Sequence, residues 1–205
     1  MSTVIEAGHQ TGSAEGKNMK KILLGAAAVA AAAVFAGCAS KPAALPTQSG
    51  VDLQKYAGVW YEQARLPNRF QNDCAGDVRA EYALNDDGTL LVVNQCRQSD
   101  GTTKRAEAVG RLAESGAHAD PAKLEVRFAP AWTSWLPIVW GDYWIIRLED
   151  DYAYSLVGTP DRKYLWVLSR EEQADTQRVQ ALLDYAGTLG FPVTDVIHAD
   201  AASRN

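Results

Sequence analysis

The chain is poor in the residues from which metal sites and nucleophilic catalysis are built. Its three histidines, His9, His118 and His198, stand too far apart to share an ion through local spacing. None lies in a Ser-His-Asp order, and no nucleophile elbow occurs, so no enzyme chemistry and no cofactor is expected. Bases are also scarce. Lysine and arginine number 20 against 25 acidic residues, a formal charge of −5, and the domain has no basic cluster to hold nucleic acid. Only one long apolar run exists, "ILLGAAAVAAAAVFAG" at 22–37, and its 16 residues fall short of a bilayer-crossing helix.

That run follows Lys20-Lys21 and ends in small residues, the charged head, apolar middle and cleavable end of a secretory signal peptide. Met19 is then the expected start, and residues 1–18 an upstream prefix. The end of the run, "VFAGC", resembles the bacterial lipobox, with Ala36 and Gly37 before Cys38 and Phe35 where leucine is usual. The resemblance implies loss of residues 1–37 and acylation of Cys38 by palmitate-type chains. Several tails at about 0.8 kcal/mol per buried CH₂ meet the two-signal requirement for stable anchoring. Ala39 in place of aspartate implies sorting to the outer membrane, facing the periplasm. Cleavage removes three lysines (17, 20, 21) and two glutamates (6, 15), moving the formal charge from −5 to −6. Docking therefore falls to lipid rather than to charge.

Residues 38–50 then form the lipidated cysteine and a flexible tether, with two prolines and no hydrophobic period. Residues 51–205 suit one domain with one substantial core. With Cys38 acylated, Cys74 and Cys96 remain as an even pair in an oxidising compartment, and a disulfide between them is expected.

From Gly58 onward the text is strands and turns. "VWYEQARL" (59–66) and "DVRAEYAL" (77–84) alternate, "NDDG" marks a hairpin, and "TLLVVNQC" (89–96) returns. "KRAEAVGRL" (104–112), "KLEVRF" (123–128), "GDYWIIRL" (141–148), "DYAYSLVG" (151–158) and "KYLWVLSR" (163–170) follow. Short antiparallel links between eight strands favour an up-and-down barrel or a sandwich. The period then changes. Val179, Leu182, Leu183, Ala186 and Leu189 fall at helical spacing, with Asp175 or Thr176 as N-cap and Gly190 just past the end. "PVTDVIH" (192–198) offers one further edge strand.

Three motifs in this text resemble the lipocalins, closest to the bacterial members of the apolipoprotein D-like branch. Gly58-Val59-Trp60 resembles the first lipocalin motif, G-x-W; "EDDYAYSLV" (149–157) is similar to the second; Arg170, closing "YLWVLSR", matches the third. The resemblance covers residues 50–198. It implies an all-β fold: an eight-stranded antiparallel up-and-down barrel with one C-terminal helix packed outside. It also implies that the Arg170 side chain lies across the Trp60 ring at the barrel floor, so Gly58, Trp60 and Arg170 read as scaffold.

Period two and the family's pattern then propose the barrel lining. Glu62 and Ala64 join Trp60 inside. Tyr143 and Ile145, Tyr154 and Leu156, and Tyr164, Trp166 and Leu168 come from later strands. The expected ligand contacts are Glu62, Tyr143, Ile145, Tyr154, Tyr164, Trp166 and Trp140. The link 129–140, "APAWTSWLPIVW", holds Trp132, Trp135 and Trp140 and falls at the open mouth by strand parity. Tryptophans there need lipid, a ligand, each other or a second subunit to cover them, and a homodimer through the mouth is one such cover. The expected role is an outer-membrane lipocalin that stores or transports a fatty acid, lysophospholipid or similar lipid during envelope maintenance. The alternatives are an isomerase-like lipocalin enzyme using a free thiol and a ligand-free structural lipoprotein.

Overall fold

Alternating side chains and short Asp- and Gly-bearing turns give a sheet of nine antiparallel strands in the computed structural model, which describes residues 43–117, 119–149 and 151–199. The expectations for the signal peptide and for Cys38 fall outside those residues. The strands are β1 (Gly58–Arg65), β2 (Cys74–Leu84), β3 (Leu90–Gln98), β4 (Thr103–Leu112), β5 (Lys123–Arg127), β6 (Gly141–Leu148), β7 (Tyr154–Gly158), β8 (Leu165–Ser169) and β9 (Ile197–His198). Helix α1 (Leu53–Tyr56) precedes the sheet and helix α2 (Thr176–Thr188) follows β8. Neighbours in sequence pair in order from β2 to β8, and β1 pairs with both β2 and β8, which closes the barrel. The two-residue β9 extends β1 at Ala64 and Arg65.

This topology gives the barrel two unlike ends. The links 66–73, 99–102, 128–140 and 159–164 lie at one rim. The turns 85–89, 113–122 and 149–153 lie at the other, together with α1.

Helix α2 begins at Asp175, whose carboxylate accepts from the backbone N–H of Gln177 at 2.8 Å, one of the orphan donors of a helix start. It ends at Gly190, with φ +89°, where Gly190 N–H donates to Gly187 O and Phe191 N–H to Ala186 O. That pair of bonds is the Schellman arrangement, which needs a left-handed residue at this step. Val179, Leu182, Leu183 and Ala186 form the buried stripe of α2, packed on Ala64, Leu156, Leu165 and Val167 from outside the barrel. A second cluster fills the bore: Tyr56, Trp60, Tyr82, Leu90, Val92, Leu124, Ile145, Val157 and Leu168.

The segment expected to be a tether is partly built in. Leu45 is buried in the outer cluster, and Gln48 N–H donates to Ile145 O at 2.9 Å. Leu148 N–H donates to Gln48 Oε1 at 3.2 Å, beside a register slip in the β6–β7 pairing between Ile145 and Arg147. The compact unit accordingly begins at Ala44 rather than at residue 51. The burial of Leu45 and the bond from Gln48 N–H to the Ile145 carbonyl together explain why this stretch docks.

Candidate functional site

The closed end is organised by one cation. Arg170 Cζ lies 3.9 Å from the centre of the Trp60 ring, a cation–π distance. Its Nη2 donates to the carbonyls of Lys55 (2.8 Å), Tyr56 (3.1 Å) and Ala57 (2.9 Å), and Nη1 to Val59 O at 2.9 Å. Trp60 Nε1 donates to Tyr56 O at 2.8 Å, so the ring is held at both edge and face. Partial burial holds the Arg170 pKa below its ordinary value, yet the guanidinium stays charged at any physiological pH. Gly58 has φ +99°, and a Cβ there would stand 3.2 Å from Arg170 Nη1. The expected scaffold role of Gly58, Trp60 and Arg170 has this geometry behind it.

Above this floor a bridge of tyrosines crosses the bore. Tyr82 on β2 and Tyr143 on β6 come from strands four apart in an eight-strand circuit, hence from opposite walls, and their hydroxyls meet at 2.8 Å. Tyr143 also bonds the hydroxyl of Tyr56 at 2.8 Å, and Tyr56 reaches Ser155 Oγ at 3.3 Å. Burial pushes the Tyr56 hydroxyl up to about 12 and those of Tyr82 and Tyr143 upward as well. All remain protonated, forming a neutral chain of donors and acceptors. Below the bridge the bore is solid: Tyr56, Trp60, Leu90, Ile145 and Val157 are buried to 1% exposure or less.

Above the bridge the inward side chains are less deeply buried. The inward positions Val78, Ala80, Asn94, Ala106, Val126 and Trp166 are half-buried. Here Glu62 and Arg65 form a buried ion pair at 2.6 Å, with side chains only 3% and 6% exposed. Gln71 Nε2 donates to the other Glu62 oxygen at 2.6 Å, while Gln71 Oε1 accepts from Asn68 Nδ2 at 2.6 Å and from Trp166 Nε1 at 3.0 Å. Desolvation raises the Glu62 pKa despite the opposing attraction of Arg65 and the bond from Gln71. Burial therefore outweighs the pairing. Arg65 Nε faces the interior with no hydrogen-bond partner. Tyr164 stacks on Trp166 with centroids 6.0 Å apart, and Phe70 packs on Tyr164 at 5.8 Å, finishing the mouth.

The structure thus gathers Glu62, Tyr143, Ile145, Tyr164 and Trp166 on the inner wall or rim. It does not bring Tyr154 or Trp140 there. Tyr154 and Leu156 point outward into the cluster under α2, where the Tyr154 hydroxyl accepts from Asp175 N–H at 2.8 Å and Arg178 lies over the ring. Ser155 and Val157 take the inward places. All five β7 residues are buried, because α2 covers the outer face, so that strand carries no alternation to read. Ala64 is likewise outside: a register slip between Glu62 and Ala64 turns Arg65 inward instead. Trp140 lies on the outer wall, with Arg111 Cζ 3.7 Å and Arg127 Cζ 5.2 Å from its ring centre. Tyr56, Tyr82, Arg65 and Gln71 had no local signal, since each acquires its role from a partner distant in sequence or from a bulge.

The expected disulfide is present: Cys74 and Cys96 are bonded, with Cα atoms 5.5 Å apart, tying β2 to β3 near the open rim. Two clefts of about 350 and 530 Å³ lie outside the bore, one between residues 46–49 and Tyr185, the other beside the start of α2. Both lie on the outer wall, and neither is lined by a residue of the tyrosine bridge or by Glu62 or Arg65.

Comparison with known proteins agrees with this architecture. Residues 51–201 match the family described as a lipocalin-like domain. The chain is 38% identical over 146 residues to temperature-induced lipocalin-1 of Arabidopsis thaliana, covering 71% of this chain and 76% of that protein. It is 35% identical over 182 residues to the outer membrane lipoprotein Blc of Escherichia coli (strain K12), covering 87% of this chain and 96% of the relative. Among solved structures, insecticyanin from the tobacco hornworm Manduca sexta superposes with a TM-score of 0.59 at 21% identity, covering 76% and 84% of the two chains. A closed eight-strand barrel, a tryptophan–arginine floor and these similarities together place the chain in the lipocalin family, as a bacterial Blc-like member.

Proposed function

We propose that this lipocalin carries a one-tailed lipid, a fatty acid, lysophospholipid or similar amphiphile, in the upper half of its barrel. One observation supports the reading above the others: on the open-rim side of the Tyr82–Tyr143 bridge, the inward side chains Val78, Ala80, Ala106, Val126 and Trp166 are only half-buried, in contrast to the fully buried residues below it. An acyl tail entering the mouth would pass Trp166 and Val126 and stop at the Tyr143 ring. Its head would remain beside Glu62, Arg65 and Gln71, where polar atoms are concentrated. Ile145, buried below this level, would feel the tail only through Tyr143. Small-molecule sites have this make-up, an apolar body with a few placed polar groups.

The similarity to an outer membrane lipoprotein supports anchoring through Cys38 at that membrane, with the barrel facing the periplasm. In that position the protein would collect, hold or deliver lipid during envelope maintenance. A carrier rather than an enzyme is the reading favoured here. The isomerase-like alternative needs a free thiol, and Cys74 and Cys96 are bonded to each other. Native mass spectrometry of the protein purified from its envelope tests this directly. The expected spectrum shows one bound lipid per barrel, released on unfolding; a bare polypeptide mass from freshly extracted membranes, also unmoved by added fatty acid, would overturn the proposal.

A further inference from the structure

The open rim carries an uncovered apolar tip. Among the described residues, the exposed large hydrophobics are Val59, Phe70, Leu91, Phe128, Trp132, Trp135 and Ile138, and all but Val59 and Leu91 belong to the links of this one rim. Trp132 is 76% exposed, Trp135 75% and Ile138 90%, so these side chains do not close over one another as a lid. Leaving two indoles and an isoleucine wet is costly, and such patches mark interaction surfaces.

Three features of the tip say what covers it. First, residues 128–141 contain no charged side chain, so there is nothing to pair with a polar protein rim. Second, part of its backbone is satisfied from within. The chain makes two short 3₁₀ turns, Ala131–Thr133 and Pro137–Val139. The N–H groups of Thr133, Ser134, Leu136, Val139 and Trp140 donate to carbonyls of the same segment, and Pro130 and Pro137 have no N–H to satisfy. Thr133 Oγ1 donates to Pro130 O and Trp140 Nε1 to Ser134 O. Each backbone group bonded within the loop lowers the cost of bringing an irregular segment to an apolar surface. Third, the exposed side chains are mainly tryptophans, the residues that favour the headgroup level of a bilayer.

The geometry points to the 128–138 tip as a membrane-docking element that seats Trp132, Trp135 and Ile138 in a zwitterionic phospholipid surface. The tip itself carries no charge to attract or repel a charged lipid headgroup. Attachment is therefore apolar and insensitive to salt. The docked tip holds the barrel mouth against the lipid surface, whatever cargo the barrel takes.

The test uses the full chain reconstituted in phosphatidylcholine vesicles whose acyl chains are brominated, with tryptophan emission as readout. Its partner is the Trp132→Ser/Trp135→Ser variant, in which both changes are at exposed positions, with near-ultraviolet circular dichroism as the check on folding. The expected result is quenching of the wild-type emission that is lost from the variant and unchanged between low and high salt. Equal quenching in the two proteins, or none in either, overturns the proposal. So does quenching of the same two residues by monomeric brominated fatty acid without vesicles, which would make them cargo contacts. Dimer formation that depends on Trp132 and Trp135 and displaces the lipid contact would assign the tip to a second copy instead.

Discussion

Arg170 Cζ stands 3.9 Å from the centre of the Trp60 ring, and the same guanidinium reaches carbonyls of residues 55, 56, 57 and 59. One side chain thereby joins the end of β8 to α1 and the start of β1. Replacing Arg170 with alanine leaves those carbonyls short of donors and should cost about 2–4 kcal/mol in urea unfolding. Lysine should recover less than half of that, because a point charge cannot serve several carbonyls and the indole face together. Gly58→Ala, strained at φ +99° and crowding Nη1, should cost about 1–2 kcal/mol. An Arg170→Lys variant as stable as wild type would show that the fork geometry is irrelevant.

The Glu62–Arg65 pair makes stability depend on pH in a specific direction. Burial raises the Glu62 pKa above its usual 4.5, so the folded chain holds this proton where the unfolded chain has released it. The contribution of that group is therefore fully present below about pH 4.5 and fades as pH climbs through the folded value. The stability of wild type relative to Glu62→Gln should accordingly fall as pH rises above about 4.5, as read from urea midpoints; a rise in that direction would contradict the account.

Breaking the same pair from one side should be severe. Arg65→Met alone leaves a buried carboxylate and should cost about 3–5 kcal/mol at pH 7, with part of the loss recovered in acid. The double variant Glu62→Leu/Arg65→Met should come within about 1 kcal/mol of wild type, because no buried charge is left unpaired. Thermal melts of the three proteins check this, and a double variant as unstable as the single one would count against the buried-pair reading.

The Cys74–Cys96 bond closes a loop of sequence separation 22. Replacing both residues with serine should cost about 3 kcal/mol by the chain-entropy relation. Differential scanning of oxidised, reduced and doubly substituted protein measures it, and reduction without effect on the transition would contradict the estimate.

Most of the fold was legible from alternation and turns, and most of the interior from the same period. The strands around "NDDG", the helix stripe from Val179 to Ala186 and the Asp175 cap all carry their signals within a few residues. The places where reading failed share a cause. On β7, Tyr154-Ser155-Leu156-Val157-Gly158 is buried on both faces, so hydrophobicity does not say which side is in. At Glu62/Ala64 one inserted residue reverses the parity of the strand's end and swaps Ala64 for Arg65. The Tyr82–Tyr143 bridge joins residues 61 apart, a relationship set by barrel closure rather than by either local sequence. Trp140 looked like a pocket aromatic because its cationic neighbours, Arg111 and Arg127, lie on other strands.

The path proposed for the tail can be probed from inside. Ala106 is half-buried on β4, one inward step toward the mouth from Ala108, which lines the packed cluster. Ala106→Trp fills space that the tail would occupy and should weaken lipid binding about tenfold or more, since several methylenes at about 0.8 kcal/mol each lose their place. Unchanged affinity in a folded Ala106→Trp protein would place the tail elsewhere.

The central claim, that an acyl tail enters the barrel from its open rim and stops at the tyrosine bridge, is tested most directly by titrating the protein with saturated fatty acids of increasing length. The account predicts saturable one-to-one binding that tightens about fourfold per added CH₂, near 0.8 kcal/mol each, and then levels off once the tail meets Tyr143. An affinity independent of chain length, or no saturable binding at any length, would contradict it.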